Sequence, residues 1–145
     1  MSFYCLDNHR TPEQLAEMQR LDAAGICLFC PQGLRTHENQ KIVHNSAHWS
    51  VTPNTYPYQG AALHLLLVPH EHVTDIADLS EPAQVDFFTV LRLLRKTYEL
   101  DHYGLGIRNG DCRYTGGTIR HTHVHLLVGG TQPGAPPIRF RFSSS

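Results

Sequence analysis

The sequence lacks a dominant charge of either sign. Twelve Lys and Arg residues face 13 Asp and Glu residues, so the formal net charge is −1, and charged residues make up only 17% of the chain. A nucleic-acid-binding domain carries an excess of basic residues, and a disordered chain carries many charges and few apolar residues. Neither description fits. We therefore expect a folded protein whose partner is a small molecule and not a nucleic acid polymer.

Long apolar runs are also absent. The stretches AALHLLLV and HLLVGG are far shorter than the roughly 20 residues of a membrane-spanning helix. Residues Met1 to Arg10 contain no apolar block of the kind found in signal peptides. We expect a cytoplasmic protein without a membrane partner. A chain of 145 residues fits one domain, 1–145.

Histidine, in contrast, is abundant, with 11 residues. The stretch RHTHVHLLVGG places His121, His123 and His125, here called the histidine row, at alternate positions. In a β-strand, residues two apart lie on the same face in steps of about 6.6 Å, so the three rings would share one face. A single histidine on a sheet face is usually structural, whereas three in register indicate a chemical role.

The histidine row is suited to nucleophilic attack on phosphorus. An imidazole with an unperturbed pKa of about 6.5 is largely neutral at physiological pH. The central ring, His123, has a neighbour on each side that can orient it or donate a proton. The preceding segment NGDCRYTGGTIR adds glycines that let backbone N–H groups approach phosphate oxygens, with polar donors at Asn109 and Thr118.

Cysteine is scarce. Of four cysteines, Cys27 and Cys30 form a CxxC pair and Cys5 and Cys112 are isolated, which excludes a disulfide framework. A redox CxxC opens a helix after a strand, but CLFCP follows a predicted helix end and runs into a proline, so zinc is favoured. Spacing alone does not choose the other two ligands of a Cys₂His₂ site among His64, His70, His72 and the histidine row.

Two helices and several strands are predicted. Thr11 as N-cap, Pro12 and Gln14 open a helix that ends at Gly25, and Ser80 caps a second, longer helix. KIVHN, AHWSVTP and residues 61–69 are β-prone, and GLGIRNG predicts a strand that enters a turn and pairs with the histidine row. The terminal IRFRF alternates apolar and basic residues, which predicts an added edge strand or a contact with a partner.

Three ordered segments resemble the histidine triad (HIT) superfamily of nucleotide hydrolases and transferases. HTHVHLL resembles its signature HφHφHφφ, where φ is apolar, with Thr122 as a mild departure. TYPYQGAALHLLLVPHEHV is similar to the family's strand that ends in a proline followed by a histidine, and RNGDCRYTGGT is similar to its Asn and Gly/Ser loop. The resemblance covers about residues 25–130.

The resemblance implies an α+β, HIT-like fold: an antiparallel sheet with one long helix and an N-terminal helix. It divides the single domain into an N-terminal helical extension at about 11–25, a core at about 25–130, and a Gly/Pro-rich C-terminal segment at 129–145. It also implies a homodimer that joins sheets across the interface, to which IRFRF would contribute.

The resemblance further assigns residues. His123 is implied as the nucleophile on the α-phosphate of a nucleotide ester or anhydride, with His125 contacting that phosphate and the leaving group. The residues implied to bind the substrate are Asn54, His64, Asn109, Gly117 and Thr118. The GGT sequence at Gly117 is closer to dinucleoside polyphosphate hydrolases and phosphorylases than to nucleoside phosphoramidases. The structural zinc of the CxxC subset would be held by Cys27, Cys30, His72 and His121.

Two other functions are compatible with the sequence. The protein could be a metalloenzyme that uses the histidine row as ligands, since two rings on one strand can share an ion. That reading leaves the CxxC pair and the glycine loop unexplained. It could also be a zinc-stabilised nucleotide-binding module without turnover, which needs no poised nucleophile.

Overall fold

The computed structural model describes residues 2–37 and 40–144, and in these residues five strands form one antiparallel sheet. The strands are β1 (His44–Asn45), β2 (Trp49–Pro53), β3 (Ala61–Pro69), β4 (Gly104–Ile107) and β5 (Val124–Gly129). Their spatial order is β1-β2-β3-β5-β4, and every neighbouring pair is antiparallel. The helices are α1 (Pro12–Ala23), α2 (Pro31–Thr36), α3 (Glu81–Thr97) and α4 (Cys112–Thr115). The expected α+β architecture is confirmed.

The sheet separates two apolar clusters because alternate residues of a strand point to opposite faces. On one face, Leu65, Leu67 and Leu126 pack with residues of α3. On the other face, Leu66 and Val68 pack with the N-terminal part of the chain, from Tyr4 to Leu34. In the β3–β5 register, Leu66 lies opposite His125 and His64 lies opposite Leu127. Both histidines therefore lie on the face away from α3.

Local sequence signals explain the two longer helices. In α1, the Thr11 hydroxyl accepts a hydrogen bond from Gln14 N, and Pro12 occupies the first position. The Gln14 side chain accepts from Arg10 N, so the reciprocal bond of the expected capping box goes to the residue before the cap. In α3, Ser80 accepts from Ala83 N. Both predicted N-caps are confirmed. No helix of the described residues has the length and apolarity of a membrane span.

The strand that carries the histidine row begins later than predicted. It starts at Val124, so His125 lies inside the ladder while His121 and His123 lie in the extended segment that leads into it. The reason is that the Thr122 amide donates to the carbonyl of Val73, in the loop after β3, and not to a neighbouring strand. Thr122 is buried, and its hydroxyl has no hydrogen-bond partner within the described part of the chain. Thr122 therefore occupies an apolar position of the HφHφHφφ signature.

The prediction that IRFRF forms an edge strand is wrong. Residues 138–142 have no strand structure, and the Phe140 ring packs on His125 of its own chain, with ring centroids 5.1 Å apart. Gly106 in β4 leaves room for this ring, because a β-carbon there would lie 2.6 Å from it. The slot at Gly106 partly buries the aromatic ring, which a solvent-facing ladder at a sheet edge would not do.

The N-terminal segment is fastened beside the glycine loop. Tyr4 forms an antiparallel bridge with Ile119, and Cys5 N donates to the Thr118 carbonyl. This contact brings Cys5 to Cys112, and the two form a disulfide across a sequence separation of 107 residues, with Cα atoms 6.3 Å apart. The sequence-based description of both cysteines as isolated is therefore wrong, since a tertiary contact between distant segments pairs them.

Candidate active site and metal cluster

A cavity of about 530 Å³ opens on the sheet face away from α3. Both expected catalytic histidines, His123 and His125, line it, together with Asn54, Gly116 and Thr118. Its volume lies in the range of small-molecule sites. The fold thus brings the histidines and part of the glycine loop to one place.

His123 presents a free nitrogen lone pair to this cavity. Its Nδ1 lies 2.8 Å from the His121 carbonyl oxygen, which can only accept, so Nδ1 carries the proton and Nε2 does not. The ring of Phe29 contacts it edge-on at 4.8 Å. Burial, with a smaller contribution from the nearby charge of Arg108, lowers the pKa of His123 to about 4. At neutral pH the ring is therefore an uncharged base with Nε2 available.

His125 has the opposite tautomer because of a chain of hydrogen bonds. Tyr58 N donates to Nδ1 of His64 at 3.1 Å, so the proton of His64 is on Nε2. That Nε2 lies 2.8 Å from Nδ1 of His125, which must accept. His125 therefore carries its proton on Nε2. Burial lowers the pKa of His64 to about 4 and that of His125 well below its usual value, so both rings are neutral.

The other residues expected to bind substrate do not all line the cavity. Asn54 and Thr118 do, and His64 lies behind His125. Gly117 borders a small adjoining cavity of about 20 Å³ that both His123 and His125 also line. Asn109 lines neither cavity, and its side-chain oxygen accepts from the Ile76 amide at 2.7 Å. In this structure Asn109 therefore secures the loop after β3.

The four expected metal ligands lie together. Their ligand atoms, one from each of Cys27, Cys30, His72 and His121, are all within 4.8 Å of one another. The two Nδ1 atoms are 3.1 Å apart, and the sulfur–nitrogen distances run from 3.3 to 3.7 Å. A tetrahedral zinc with Zn–S near 2.3 Å and Zn–N near 2.05 Å requires nitrogen–nitrogen edges of about 3.3 Å and sulfur–nitrogen edges of about 3.6 Å. The donor set fits zinc.

Backbone contacts prepare these ligands. His121 donates from Nε2 to the Pro69 carbonyl at 2.8 Å, which leaves Nδ1 as the ligand atom and is the usual outer-shell arrangement of metal-binding histidines. Helix α2 packs closely against the CxxC turn. A β-carbon at Gly33 would overlap the Cys27 carbonyl oxygen, so this contact requires glycine. His121 therefore belongs to the metal cluster, while the other two members of the histidine row belong to the cavity.

Several residues that line or cover the cavity are not among those predicted from the sequence. Tyr58 stacks on His125 at 5.4 Å with an interplanar angle of 21°, and Phe140 packs on the same ring. Four arginines also line the cavity: Arg10, Arg108, Arg139 and Arg141. The alternation in IRFRF is the sequence signal for two of these arginines, although the same pattern also predicts an edge strand or a partner contact.

Comparisons with known proteins agree with this arrangement. Residues 36–132 match the family model of the HIT domain. The chain is 33% identical over 76 residues to an uncharacterized HIT-like protein of Chlamydia muridarum; the matched region is 48% of this chain and 57% of that protein. Among solved structures, it resembles a HIT family hydrolase from Clostridium thermocellum (TM-score 0.59, 24% identity, 78% of this chain and 96% of that chain). It also resembles a histidine triad nucleotide-binding protein from Candida albicans (TM-score 0.60, 20% identity, 77% and 86%).

We predict that the purified protein contains one zinc per chain and that His72→Ala removes it. Because metal binding to such a site contributes folding free energy, the variant should melt at least about 5 °C lower. Metal analysis and thermal unfolding measure both effects. The matched control is His70→Ala, two residues away, whose ring bonds to Asn45 and lies outside the cluster. Equal zinc content and equal stability in the two variants would contradict the assignment.

Proposed function

The chain belongs to the HIT domain family, and we propose that it is an enzyme that transfers the nucleotidyl group of a nucleotide ester or anhydride, such as a dinucleoside polyphosphate, to a small acceptor through His123. The observation that carries this proposal is the tautomer of His123, whose Nδ1 is bonded to the His121 carbonyl and whose Nε2 lone pair is free at the cavity. The substrate class is supported by two structurally similar proteins, one described as a HIT family hydrolase and the other as a histidine triad nucleotide-binding protein.

In the first step, Nε2 of His123 attacks the α-phosphorus. A P–N bond forms, and the bond from phosphorus to the bridging oxygen breaks, with its electron pair going to the leaving group. When the leaving group is a phosphate, it departs as an anion and needs no proton. Nε2–H of His125 donates a hydrogen bond to it, and this interaction is strongest when the negative charge has developed.

In the second step, an acceptor such as water or phosphate attacks the same phosphorus. A P–O bond forms, the P–N bond breaks, and its electron pair returns to Nε2 of His123. When water is the acceptor, it releases a proton to solvent. Thr118 and Asn54 line the cavity where the nucleotide would be held, and His64 maintains the His125 tautomer.

We propose zinc for the Cys₂His₂ cluster, with a structural role. There it would join the N-terminal CxxC segment to the end of β3 and to His121, and hold in place the backbone carbonyl to which His123 donates. The metalloenzyme alternative has little support. His123 is hydrogen-bonded to the His121 carbonyl and His125 to His64, and neither belongs to the Cys₂His₂ cluster. A nucleotide-binding module without turnover would be compatible with all of these contacts. Detection of a covalent intermediate distinguishes the enzyme from such a module.

We predict that His123 becomes nucleotidylated during turnover. The P–N bond of a nucleotidyl-histidine survives denaturation in alkali, so a reaction quenched under those conditions should yield the peptide containing residues 121–125 with one added nucleotide in mass spectra. His123→Ala should lose turnover by several orders of magnitude and still bind nucleotide, because Asn54 and Thr118 remain. His102→Ala is the control, an exposed histidine remote from the cavity. Unchanged activity of His123→Ala, or label on another residue, would defeat the assignment.

We also propose that the protein is a homodimer. The edge strand predicted for IRFRF is absent, and Phe140 packs on its own chain, while Phe142 is exposed. Support comes instead from β4, the last strand in the sheet order, where Leu105 is 42% exposed. An edge strand without a partner is a liability that association removes. Sedimentation at micromolar concentration should give a dimer mass; a monomer with intact turnover would refute the proposal.

A further inference from the structure

The cavity has a cationic wall that comes largely from outside the residues matching the HIT domain. Arg10 precedes α1 and Arg141 lies in the C-terminal segment, both outside residues 36–132, while Arg108 follows β4. All three line the same cavity as His123 and His125. Both ends of the chain thus fold back to place positive charge beside the reactive histidines.

Neutral groups hold these guanidinium groups in place. Arg10 donates to the Tyr56 carbonyl at 2.7 Å and lies 4.5 Å from the centre of the Tyr58 ring. Arg108 donates to the Tyr58 hydroxyl and lies 3.9 Å from the centre of the Phe140 ring. Rings and hydroxyls orient a guanidinium without neutralising it.

No carboxylate in the described part of the chain forms an ion pair with these three arginines, although Glu17 also lines the cavity. Within residues 2–37 and 40–144, the Asp and Glu ion pairs go to His37, Arg113 and Arg120. Arg141 donates to the carbonyl of Asn8, and Arg108 also donates to the carbonyl of Arg141. The guanidinium groups of Arg10, Arg108 and Arg141 repel one another, and an anion among them would relieve that repulsion.

The charges reach one another and the histidines. Desolvation lowers the pKa of Arg10, and the charges of Arg108 and Arg141 lower it further. For His125, burial is the main cause of its lowered pKa, with His123, His64, Arg108 and Arg10 adding to it. Arg10 and Arg108 are thus close enough to act on the phosphate group that the histidines would hold, and Arg141 lines the same cavity.

We propose that Arg10, Arg108 and Arg141 form an anion subsite for the departing part of the substrate. This inference rests on the proposed function. In a nucleotide anhydride the nucleoside lies on one side of the α-phosphate, and the further phosphates extend from the leaving side. The substrate class that uses both sets of residues has at least two linked phosphates. A nucleoside phosphoramidate, whose departing amine is neutral, would leave the arginines without a partner.

Binding of two non-reacting nucleotides tests the subsite. AMP carries one phosphate, and α,β-methylene-ADP carries two joined by a P–C–P bridge that His123 cannot break. Calorimetric titration of the wild-type protein should give the analogue at least about tenfold higher affinity than AMP, the size expected for charge-assisted hydrogen bonds. Arg10→Gln and Arg141→Gln should each remove most of this advantage and leave AMP binding within about threefold. Arg92→Gln, an exposed arginine of α3 outside the cavity, is the matched charge control and should change neither affinity.

Three results would overturn the subsite: equal affinity of the wild type for AMP and the analogue, an advantage that survives in both variants, or an equal loss in Arg92→Gln. If the variants unfold, the wild type still decides, since added salt should weaken the analogue more than AMP, and equal weakening counts against the subsite. If neither nucleotide binds, the proposed nucleotide function fails. Binding of inorganic pyrophosphate then tests the subsite separately. Pyrophosphate binding that Arg10→Gln removes would support the subsite, and absence of binding to the wild type would reject it.

Discussion

The carbonyl oxygen of His121 accepts a hydrogen bond from Nδ1 of His123, and the chemistry of the cavity depends on that bond. A carbonyl cannot donate, so the His123 proton is confined to Nδ1 and the lone pair to Nε2. The His121 ring is itself held by the Pro69 carbonyl on one side and the cysteine pair on the other. In the proposed mechanism the Cys₂His₂ cluster therefore fixes the residue whose carbonyl orients His123, and it takes no part in the reaction.

The remaining residues of the candidate active site are positioned by segments distant in sequence. Asn8 donates to the carbonyls of Cys112 and Gly117, so the N-terminal segment holds the glycine loop against the cavity. On the other side Phe140 occupies the slot at Gly106 and covers His125. Residues 36–132, which match the HIT domain, contain the sheet and the cavity histidines, whereas the two flanking segments contribute most of the cationic wall. Substrate preference within the family would follow from such additions.

Local signals in the sequence were sufficient for the parts of the fold that local physics determines. The N-caps Thr11 and Ser80, the apolar run of β3 and the pairing of β4 with β5 all follow from propensity and periodicity. The metal cluster could be assigned because the family resemblance added His72 and His121 to a CxxC pair. What could not be predicted depends on contacts between distant segments. One example is the Cys5–Cys112 disulfide. Another is Phe140, which belongs to an alternating pattern typical of a strand but packs beside Gly106 and on His125.

Histidine tautomers measured directly test the central claim, which is that hydrogen bonds leave Nε2 of His123 bare and Nε2 of His125 protonated. Protein labelled with ¹⁵N-histidine, with resonances assigned from single-histidine variants, reports the protonation of each ring nitrogen in long-range ¹H–¹⁵N spectra. At pH 7 we predict a proton on Nδ1 of His123 and on Nε2 of His125. Both rings should remain neutral down to about pH 5, because burial lowers the pKa of His123 to about 4 and that of His125 well below its usual value. A proton on Nε2 of His123, or a His123 ring that titrates with an ordinary pKa of about 6.5, would contradict the account.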